Sequence, residues 1–304
     1  MTAEIIQKKL KAYRKEAKAY VDSQRLLLRY GYECFFRRLI VSPYSSKLVL
    51  KGAMLPTTLE LEGIRNTKDA DFQMHGGSDE RSVKTAFTEI LKIEWDDAIS
   101  FDLKSLTVAA SGRERAYPGC TVKLRGALGR TPLTLQFDVG FGEIITPGAA
   151  TVEIRTLVDF PTLKVKAYPW ETVVAEKFEA IVKLGMRNNR MKDFYDLFTL
   201  ATILEFRSEP LALAIIRTFE HRKTKLPTLT PVGLSQSFYK DNAKIKDWKA
   251  FIERHNLPNR VNLEDCCQKI QQFVGPLLKE IEAESQAKHT WNRAWKSSEV
   301  AEEP

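Results

Sequence analysis

Two aspartates separated by one residue are the first candidates for chemistry in this sequence. Asp69 and Asp71 lie in the stretch KDADFQM over residues 68–74, whose alternation of polar and apolar residues predicts a β-strand. Residues i and i+2 of a strand point to the same face, so the two carboxylates are expected to project side by side. Paired carboxylate oxygens suit Mg²⁺ or Mn²⁺. The pattern therefore predicts a metal site, although two solvent-facing aspartates on an edge strand would have the same spacing.

A third carboxylate lies further along the chain. Asp138 belongs to the stretch LTLQFDVGF, in which the apolar residues at 133, 135, 137 and 139 set one face of a predicted strand and Asp138 falls on the other. If this strand lies beside the first, three acids meet. Carboxylates around two metal ions are the usual arrangement for in-line nucleotidyl transfer. The alternative is an ordinary strand aspartate that faces solvent.

A lysine and a glycine end another predicted strand. Residues 47–51 read KLVLK and are followed by Gly52 and a predicted helix near residues 55–61. The N-terminus of a helix offers free N–H groups to phosphate, and a glycine lets a triphosphate approach the backbone. Lys51 and Gly52 are therefore candidates for nucleotide binding, although Gly52 could serve only to make the turn.

Charged residues also interrupt two apolar helical stripes later in the chain. Lys177 flanks the stripe of Val174 and Ile181, and a buried lysine without a partner is costly. It is expected either to extend its ammonium group to solvent or to meet a carboxylate or a phosphate. Asp193 and Asp196 share one helix face at a spacing of three residues and could pair with Lys177. Asp193 could instead complement the helix dipole.

The elements that position these residues fall into two parts. Residues 4–40 predict one or two helices with ten basic and four acidic residues, which indicates a solvated helix face or a surface for nucleic acid. Strand patterns at 47–51, at 68–74 and in four stretches between 100 and 157 predict a mixed α/β region with a sheet of about five strands. Helical patterns dominate after Pro169. We therefore expect an α/β domain over residues 1–166 and a helical domain over 167–304.

Composition narrows the possible classes of protein. The 304 residues are 43% hydrophobic and 28% charged, which is typical of folded proteins, and the net charge of +8 favours an anionic partner. No apolar run reaches the roughly 18–20 residues that a membrane helix needs. The four cysteines form no CxxC pair, so we expect a reducing, cytoplasmic location. The sequence contains no GxxxxGK[ST], HExxH or GxSxG motif and no kinase signature set.

Four motifs in this order resemble the AbiEii/AbiGii nucleotidyltransferase toxin family, which includes the MenT-type toxins. They are LVLKGA, RNTKDAD, AEKFEAIVKL and RMKDFYDL, and the resemblance covers roughly residues 30–280. It implies a polymerase-β-like nucleotidyltransferase fold of the α/β (α+β) class, with a mixed sheet and a helical C-terminal domain. It further implies transfer of NMP from an NTP to an RNA acceptor such as the tRNA 3′ end, which blocks translation. Such toxins need Mg²⁺ or Mn²⁺ and act in toxin–antitoxin or phage-defence pairs with an antitoxin encoded nearby.

The resemblance also assigns roles to individual residues. It implies that the metal ligands are Asp69 and Asp71, with Asp138 as the third strand carboxylate, and that activity also needs Lys177 and Asp193. The nucleotide-binding residues that it implies are Lys51, Gly52, Arg65, Thr67, Arg190 and Lys192.

One motif departs from the family pattern. Where the family has a second glycine and a serine or threonine, this sequence has Ala53 and Met54. The hydroxyl that would contact the nucleotide phosphates is therefore missing, although Thr57 or Thr58 could supply one. Two alternatives to an RNA-modifying toxin follow. The protein could transfer NMP to a small molecule, or it could bind nucleotide or RNA without catalysis.

Overall fold

The computed structural model describes residues 1–16, 22–52, 54–55, 65, 67–111, 118–255, 257 and 260–299. The chain divides into two compact units, Met1–Pro169 and Trp170–Pro304. The predicted boundary after residue 166 falls within the last strand of the first unit, which ends at Ala167. The predicted helix near residues 55–61 lies outside the described residues except for Leu55, which is helical and buried.

The first unit combines helices with a mixed sheet, as the sequence predicts. Its described helices are α1 (Ala3–Glu16), α2 (Ser23–Ile40) and α3 (Glu80–Leu91). Its strands are β1 (Leu48–Lys51), β2 (Ala70–Met74), β3 (Ile99–Ala110), β4 (Gly119–Leu128), β5 (Thr131–Phe141), β6 (Ala150–Ile154) and β7 (Leu163–Ala167).

The described strands form one sheet in the order β3-β4-β5-β2-β1-β7-β6. The pairs β2–β5 and β1–β7 are parallel, and the other neighbours are antiparallel. The expectation of about five strands is therefore wrong, because the described part of the sheet contains seven. One strand that the sequence did not predict is β7, whose sequence LKVKA contributes only three buried residues. This short alternation lies at the predicted domain boundary.

One face of the sheet packs against α2 and α3 through aromatic side chains. The ring of Phe35 in α2 lies 4.6 Å from that of Phe137 in β5 and 6.0 Å from that of Phe72 in β2. Phe87 of α3 lies 5.0 Å from Phe137. The alternation predicted for β5 is confirmed, since Leu133, Leu135, Phe137 and Val139 are all buried. Packing of these residues directs the alternate side chains of β5 to the opposite face.

The two helices of the basic N-terminal segment differ in how far their basic residues are exposed. In α1 the basic residues are exposed or half-buried, as expected both for a solvated face and for a surface for nucleic acid. In α2 this expectation is wrong for Arg37 and Arg38, which are 1% and 4% exposed. They form a buried ionic cluster with Glu33 and with Asp97, which precedes β3, and we call these four residues the α2 cluster.

Hydrogen bonds hold the α2 cluster together. Arg38 donates from Nη1 and Nη2 to the two carboxylate oxygens of Asp97 at 2.6 and 3.1 Å, and from Nε to the Ile93 carbonyl at 2.9 Å. The Leu157 backbone N–H donates to Glu33. Burial raises the pKa of Glu33 to about 7, against the opposing effect of the nearby Arg29 and Arg37. The cluster thus ties α2 to segments far away in the sequence.

The second unit is helical, and no strand occurs among the residues that the structure describes after Pro169. Its helices are α4 (Trp170–Leu184), α5 (Met191–Ile203), α6 (Ser208–His221), α7 (Gln236–Tyr239), α8 (Asn242–His255) and α9 (Leu263–Glu299). Short 3₁₀ helices occupy Gly185–Arg187 and Val232–Leu234. None of the helices within the described ranges has the length and apolar character needed to cross a membrane.

Candidate active site

Backbone register brings four polar residues into one line across the sheet of the first unit. Lys51 of β1 pairs with Asp71 of β2, Asp71 pairs with Asp138 of β5, and Asp138 pairs with Thr121 of β4. Directly paired residues of neighbouring strands point to the same face of a sheet. This polar row lies opposite the face that packs against α2 and α3, and its two carboxylates are half-buried. The structure thus brings Asp138 beside Asp71, as the strand alternation predicts.

Two glycines make room for the polar row. Gly52 has a φ of +69°, and a Cβ at this position would lie 2.2 Å from Oδ2 of Asp71. Any side chain here would push the carboxylate away and would also strain the backbone. A Cβ at Gly140, next to the row on β5, would lie 3.3 Å from Nζ of Lys51. The glycines therefore let the Asp71 carboxylate and the Lys51 ammonium group lie close against the backbone.

Asp69 does not lie on the strand that the sequence predicts for it. Strand β2 begins at Ala70, and the preceding bend contains Asp69, whose backbone N–H and carbonyl both contact the Thr67 hydroxyl. The short side chain of threonine competes for backbone hydrogen bonds here, which ends the extended conformation. Asp69 nevertheless follows Lys68, whose carbonyl accepts a hydrogen bond of 2.6 Å from the Tyr32 hydroxyl. Burial raises the pKa of this phenol, and the charges of Asp69 and Asp71 raise it further.

Tyr32 of α2 fixes the strands beneath the carboxylates. Its hydroxyl donates to the Lys68 carbonyl at 2.6 Å or to the Gln136 carbonyl at 2.8 Å, and it accepts from the Gln136 backbone N–H at 3.2 Å. Residues 68 and 136 each lie shortly before a carboxylate of the site. Sequence reasoning missed both Tyr32 and Thr121, because their contacts depend on a register that no local pattern reveals.

The carboxylates have the oxygen chemistry that a divalent cation requires. Asp71 and Asp138 lie side by side on adjacent strands. Thr121 donates a hydrogen bond of 2.7 Å to Oδ1 of Asp138. Across the described ranges, however, no three His, Cys, Asp or Glu side chains are grouped closely enough to hold a metal ion. The metal-binding role of Asp69, Asp71 and Asp138 therefore stays a prediction.

The residues around the departure from the family motif are only partly described. Met54 is helical and 3% exposed, so its side chain belongs to the core. Ala53, Thr57 and Thr58 lie outside the described residues. Arg65, a predicted nucleotide-binding residue, is 9% exposed.

The second unit contains the predicted ion-paired group. Nζ of Lys177 in α4 lies 3.2 Å from Oδ1 of Asp193 and 2.7 Å from Oδ2 of Asp196, and both aspartates belong to α5. Nε of Arg190 lies 2.7 Å from Oδ2 of Asp193. The prediction that Lys177 meets a carboxylate is confirmed. We call these four residues the α4–α5 cluster, and Lys192 lies exposed beside it.

A lysine that sequence reasoning missed supports the turn before α5. Lys244 of α8 is 7% exposed, and its Nζ donates to the Asn188 carbonyl at 3.0 Å and to Oδ1 of Asn189 at 2.6 Å. The Asn188 side chain in turn accepts from the Arg190 backbone N–H at 2.8 Å. Lys244 is therefore coupled through this turn to the start of α5, where Arg190 and Asp193 lie.

The fold resembles that of known structures. A crystal structure of a candidate nucleotidyltransferase from H. pylori aligns with 86% of this chain and 98% of its own, at 16% identity and a TM-score of 0.53. The crystal structure of JHP933 from Helicobacter pylori aligns with 90% of this chain and 99% of its own, at 16% identity and a TM-score of 0.51. No curated protein sequence matches the chain. At this identity the likeness defines a fold class, that of nucleotidyltransferase-like mixed sheets followed by helices.

The sequence identifies the family within this class. Residues 34–271 match the AbiEii nucleotidyl transferase toxin family of type IV toxin–antitoxin systems. The chain belongs to this family, and the resemblance noted from its four motifs is confirmed. Membership supports a transferase activity and implies a cognate antitoxin.

Proposed function

We propose that the protein transfers NMP from an NTP to an RNA acceptor, the tRNA 3′ end, and thereby blocks translation. The polar row of Lys51, Asp71, Asp138 and Thr121 carries this proposal, because it combines phosphate-binding and metal-binding chemistry on one face of the sheet. In the reaction the acceptor hydroxyl oxygen forms a bond to the α-phosphorus. The bond from this phosphorus to the pyrophosphate oxygen breaks, and the hydroxyl proton passes to solvent.

The carboxylates and the lysine of the row have separate roles in this proposal. Asp69, Asp71 and Asp138 would hold Mg²⁺ or Mn²⁺, which when bound lowers the charge of the phosphates and activates the attacking oxygen. Thr121 orients Asp138 through its 2.7 Å hydrogen bond. The ammonium group of Lys51 and the backbone at Gly52 would bind the NTP phosphates, together with Arg65 and Thr67. These roles rest on donor chemistry and on family membership.

The α4–α5 cluster supplies the remaining proposed residues. Lys177 and Asp193 would be required for transfer, and Arg190 and Lys192 would contact nucleotide phosphates. Arg190 is suited to this role because its side chain is 53% exposed while its Nε already contacts Asp193, so that its outer nitrogens face solvent. Guanidinium groups bind phosphate through several parallel hydrogen bonds.

The proposal is tested by labelling RNA. The purified protein is incubated with total RNA, Mg²⁺ and each α-³²P-labelled NTP in turn, with the Asp69→Ala/Asp71→Ala double variant and the exposed-site variant Asp159→Ala as controls. We expect label in RNA of tRNA size with wild type and Asp159→Ala, and none with the double variant. Label that persists in the double variant would contradict the proposal.

Two other outcomes distinguish the alternatives. Release of pyrophosphate without label in RNA would indicate a small-molecule acceptor. Binding of NTP without any turnover would indicate a non-catalytic protein and would point to the buried Met54, which replaces the family's hydroxyl residue. Because NTPs and tRNA are cytoplasmic substrates, we infer that the protein acts in the cytoplasm, where its antitoxin would be made from a neighbouring gene.

A further inference from the structure

The hairpin of β4 and β5 continues the face of the sheet that carries the polar row. Its backbone pairs on this face, read outward from the row, are Thr121–Asp138, Lys123–Gln136 and Arg125–Thr134. We call these residues beyond the row, Lys123, Arg125, Thr134 and Gln136, the hairpin face. Lys123, Arg125 and Thr134 are exposed, whereas the intervening residues Val122, Leu124 and Leu135 are fully buried in the core. The alternation fixes which side chains face solvent.

Both charged residues of the hairpin face are basic and accessible. Within the described part of the chain, Lys123 forms no ion pair. The side chain of Arg125 is 71% exposed and lies 3.6 Å from Asp102, which is itself 46% exposed. An exposed pair of this kind contributes little free energy, so a phosphate could replace the carboxylate at small cost. The Arg125 backbone N–H is held by the Ser105 hydroxyl at 2.8 Å, which fixes the base of the side chain.

Small residues of β3 lie beside the hairpin face. Thr107 and Ala109 of β3 pair with Lys123 and Thr121, and both are exposed and small. Residues two apart on a strand are separated by about 6.7 Å, so Lys123 and Arg125 follow the row at regular steps. A strand of nucleic acid whose end lies at Asp138 would therefore contact Lys123 and then Arg125 through its successive phosphates.

We propose that the hairpin face binds the phosphate backbone of the RNA acceptor just before its 3′ end. This inference rests on the proposed function, because it assigns a path to the acceptor of that reaction. Lys123 and Arg125 would each contact one phosphate, while the small residues beside them leave space for sugars. Such contacts are independent of base identity, so the hairpin face contributes affinity and position rather than sequence preference.

The test measures RNA binding directly, without relying on catalysis. A fluorescein-labelled single-stranded RNA is titrated with the full chain, and anisotropy gives Kd at several salt concentrations. We expect Lys123→Glu/Arg125→Glu to raise Kd at least about tenfold and to reduce the salt dependence of binding, by about 0.7 in slope for each lost phosphate contact. The matched control is Lys246→Glu/Lys249→Glu in α8, which makes the same charge change at exposed residues and should alter Kd less than twofold.

The competing basic surface is α1, where Lys8 and Lys11 are exposed. If Lys8→Glu/Lys11→Glu weakens binding and the hairpin variant does not, or if wild type does not bind RNA, the proposal is wrong. The labelling reaction, run in parallel, separates this proposal from the proposed function. With transfer present, we expect the hairpin variant to raise KM for RNA and to leave KM for NTP unchanged. RNA binding at the hairpin face without any transfer would overturn only the proposed function.

Discussion

The two units each contain a buried ionic cluster, and the two clusters differ in how they meet solvent. In the α2 cluster all four side chains are at most 5% exposed, and backbone groups hydrogen-bond to Arg38 and Glu33. In the α4–α5 cluster the carboxylates are buried, but Lys177 is 13% and Arg190 53% exposed. The first cluster presents no charge outward. In the second cluster the two cations reach solvent, whereas the two carboxylates beneath them are buried.

From this difference we expect the α2 cluster to stabilise the fold and the α4–α5 cluster to bind a ligand. Breaking a fully buried pair leaves an uncompensated charge, so its effect falls on stability. A cluster with accessible cations can exchange solvent for a phosphate, so its effect is expected to fall on activity. Substitutions in and beside the two clusters test this distinction.

Replacement of Arg38 by methionine should have the largest effect on stability. Among the residues that the structure describes, the change leaves buried Asp97 with the more distant Arg37, 3.8 Å away, as its charged partner. We expect Arg38→Met to lower the free energy of unfolding by about 3–5 kcal/mol in urea titrations. Arg25→Met on the exposed side of the same helix is the control and should change it by less than about 0.5 kcal/mol. Equal effects of the two variants would show that the α2 cluster is not structural.

Glu33 should make stability depend on pH in an unusual direction. Its pKa is about 7 in the folded protein and 4.5 without burial, so the folded state binds the extra proton between these values. The contribution of Glu33 to stability is therefore present below about pH 4.5 and is lost as pH rises to 7. Glu33→Gln should gain up to about 3 kcal/mol relative to wild type between pH 5 and pH 8.

Urea titrations at both pH values measure this difference. Glu16→Gln, at an exposed position of α1, is the control and should track wild type. A Glu33→Gln curve that stays parallel to wild type across this range would contradict the raised pKa.

A substitution in the α4–α5 cluster should reduce NMP transfer strongly and the free energy of unfolding less. Lys177→Met removes the cation between Asp193 and Asp196, while Arg190 continues to neutralise Asp193. We expect NMP transfer to fall about 100-fold, which corresponds to roughly 2.7 kcal/mol of transition-state free energy. Lys183→Met, an exposed change on the same helix, should retain activity. A Lys177→Met protein with wild-type transfer would refute the catalytic interpretation of this cluster.

Replacement of Lys244 should have the smallest effect, and it should lower both the free energy of unfolding and the rate of NMP transfer. Lys244→Met removes the donor to the Asn188 carbonyl and the Asn189 side chain, and we expect a loss of about 1–2 kcal/mol in unfolding free energy. Because the turn before α5 would loosen, transfer should fall several-fold. The exposed Lys246→Met is the matched control for both measurements. An unchanged transfer rate would limit Lys244 to a structural role.

Sequence patterns predicted the fold where local alternation carried the signal. The strands of the first unit and the helices after Pro169 follow from periods of two and of three to four residues. The short strand β7 and the inward direction of Arg37 and Arg38 could not be predicted in this way. Burial of an arginine depends on a distant acid such as Asp97, and nothing in the sequence of α2 indicates that partner.

The same distinction applies to the site. The face of Asp138 followed from the alternation of β5, and the pairing of Lys177 followed from the cost of burying a cation. Three contacting residues were missed. The contacts of Thr121 and Tyr32 depend on strand register, and Lys244 contacts a turn that belongs to another part of the chain. The bend that excludes Asp69 from β2 was missed because the threonine two residues earlier interrupts an otherwise regular alternation.

The parallel pairing of β2 with β5 has a consequence for the newly made chain. The polar row requires residues 51, 71, 121 and 138, and its two central carboxylates meet only after a long segment has closed between them. Closing such a segment costs chain entropy, and pairings of this range form late in folding. A growing polypeptide that has not yet emerged past β5 therefore carries no row, and we expect a fragment that ends before Thr131 to lack the proposed NMP transfer.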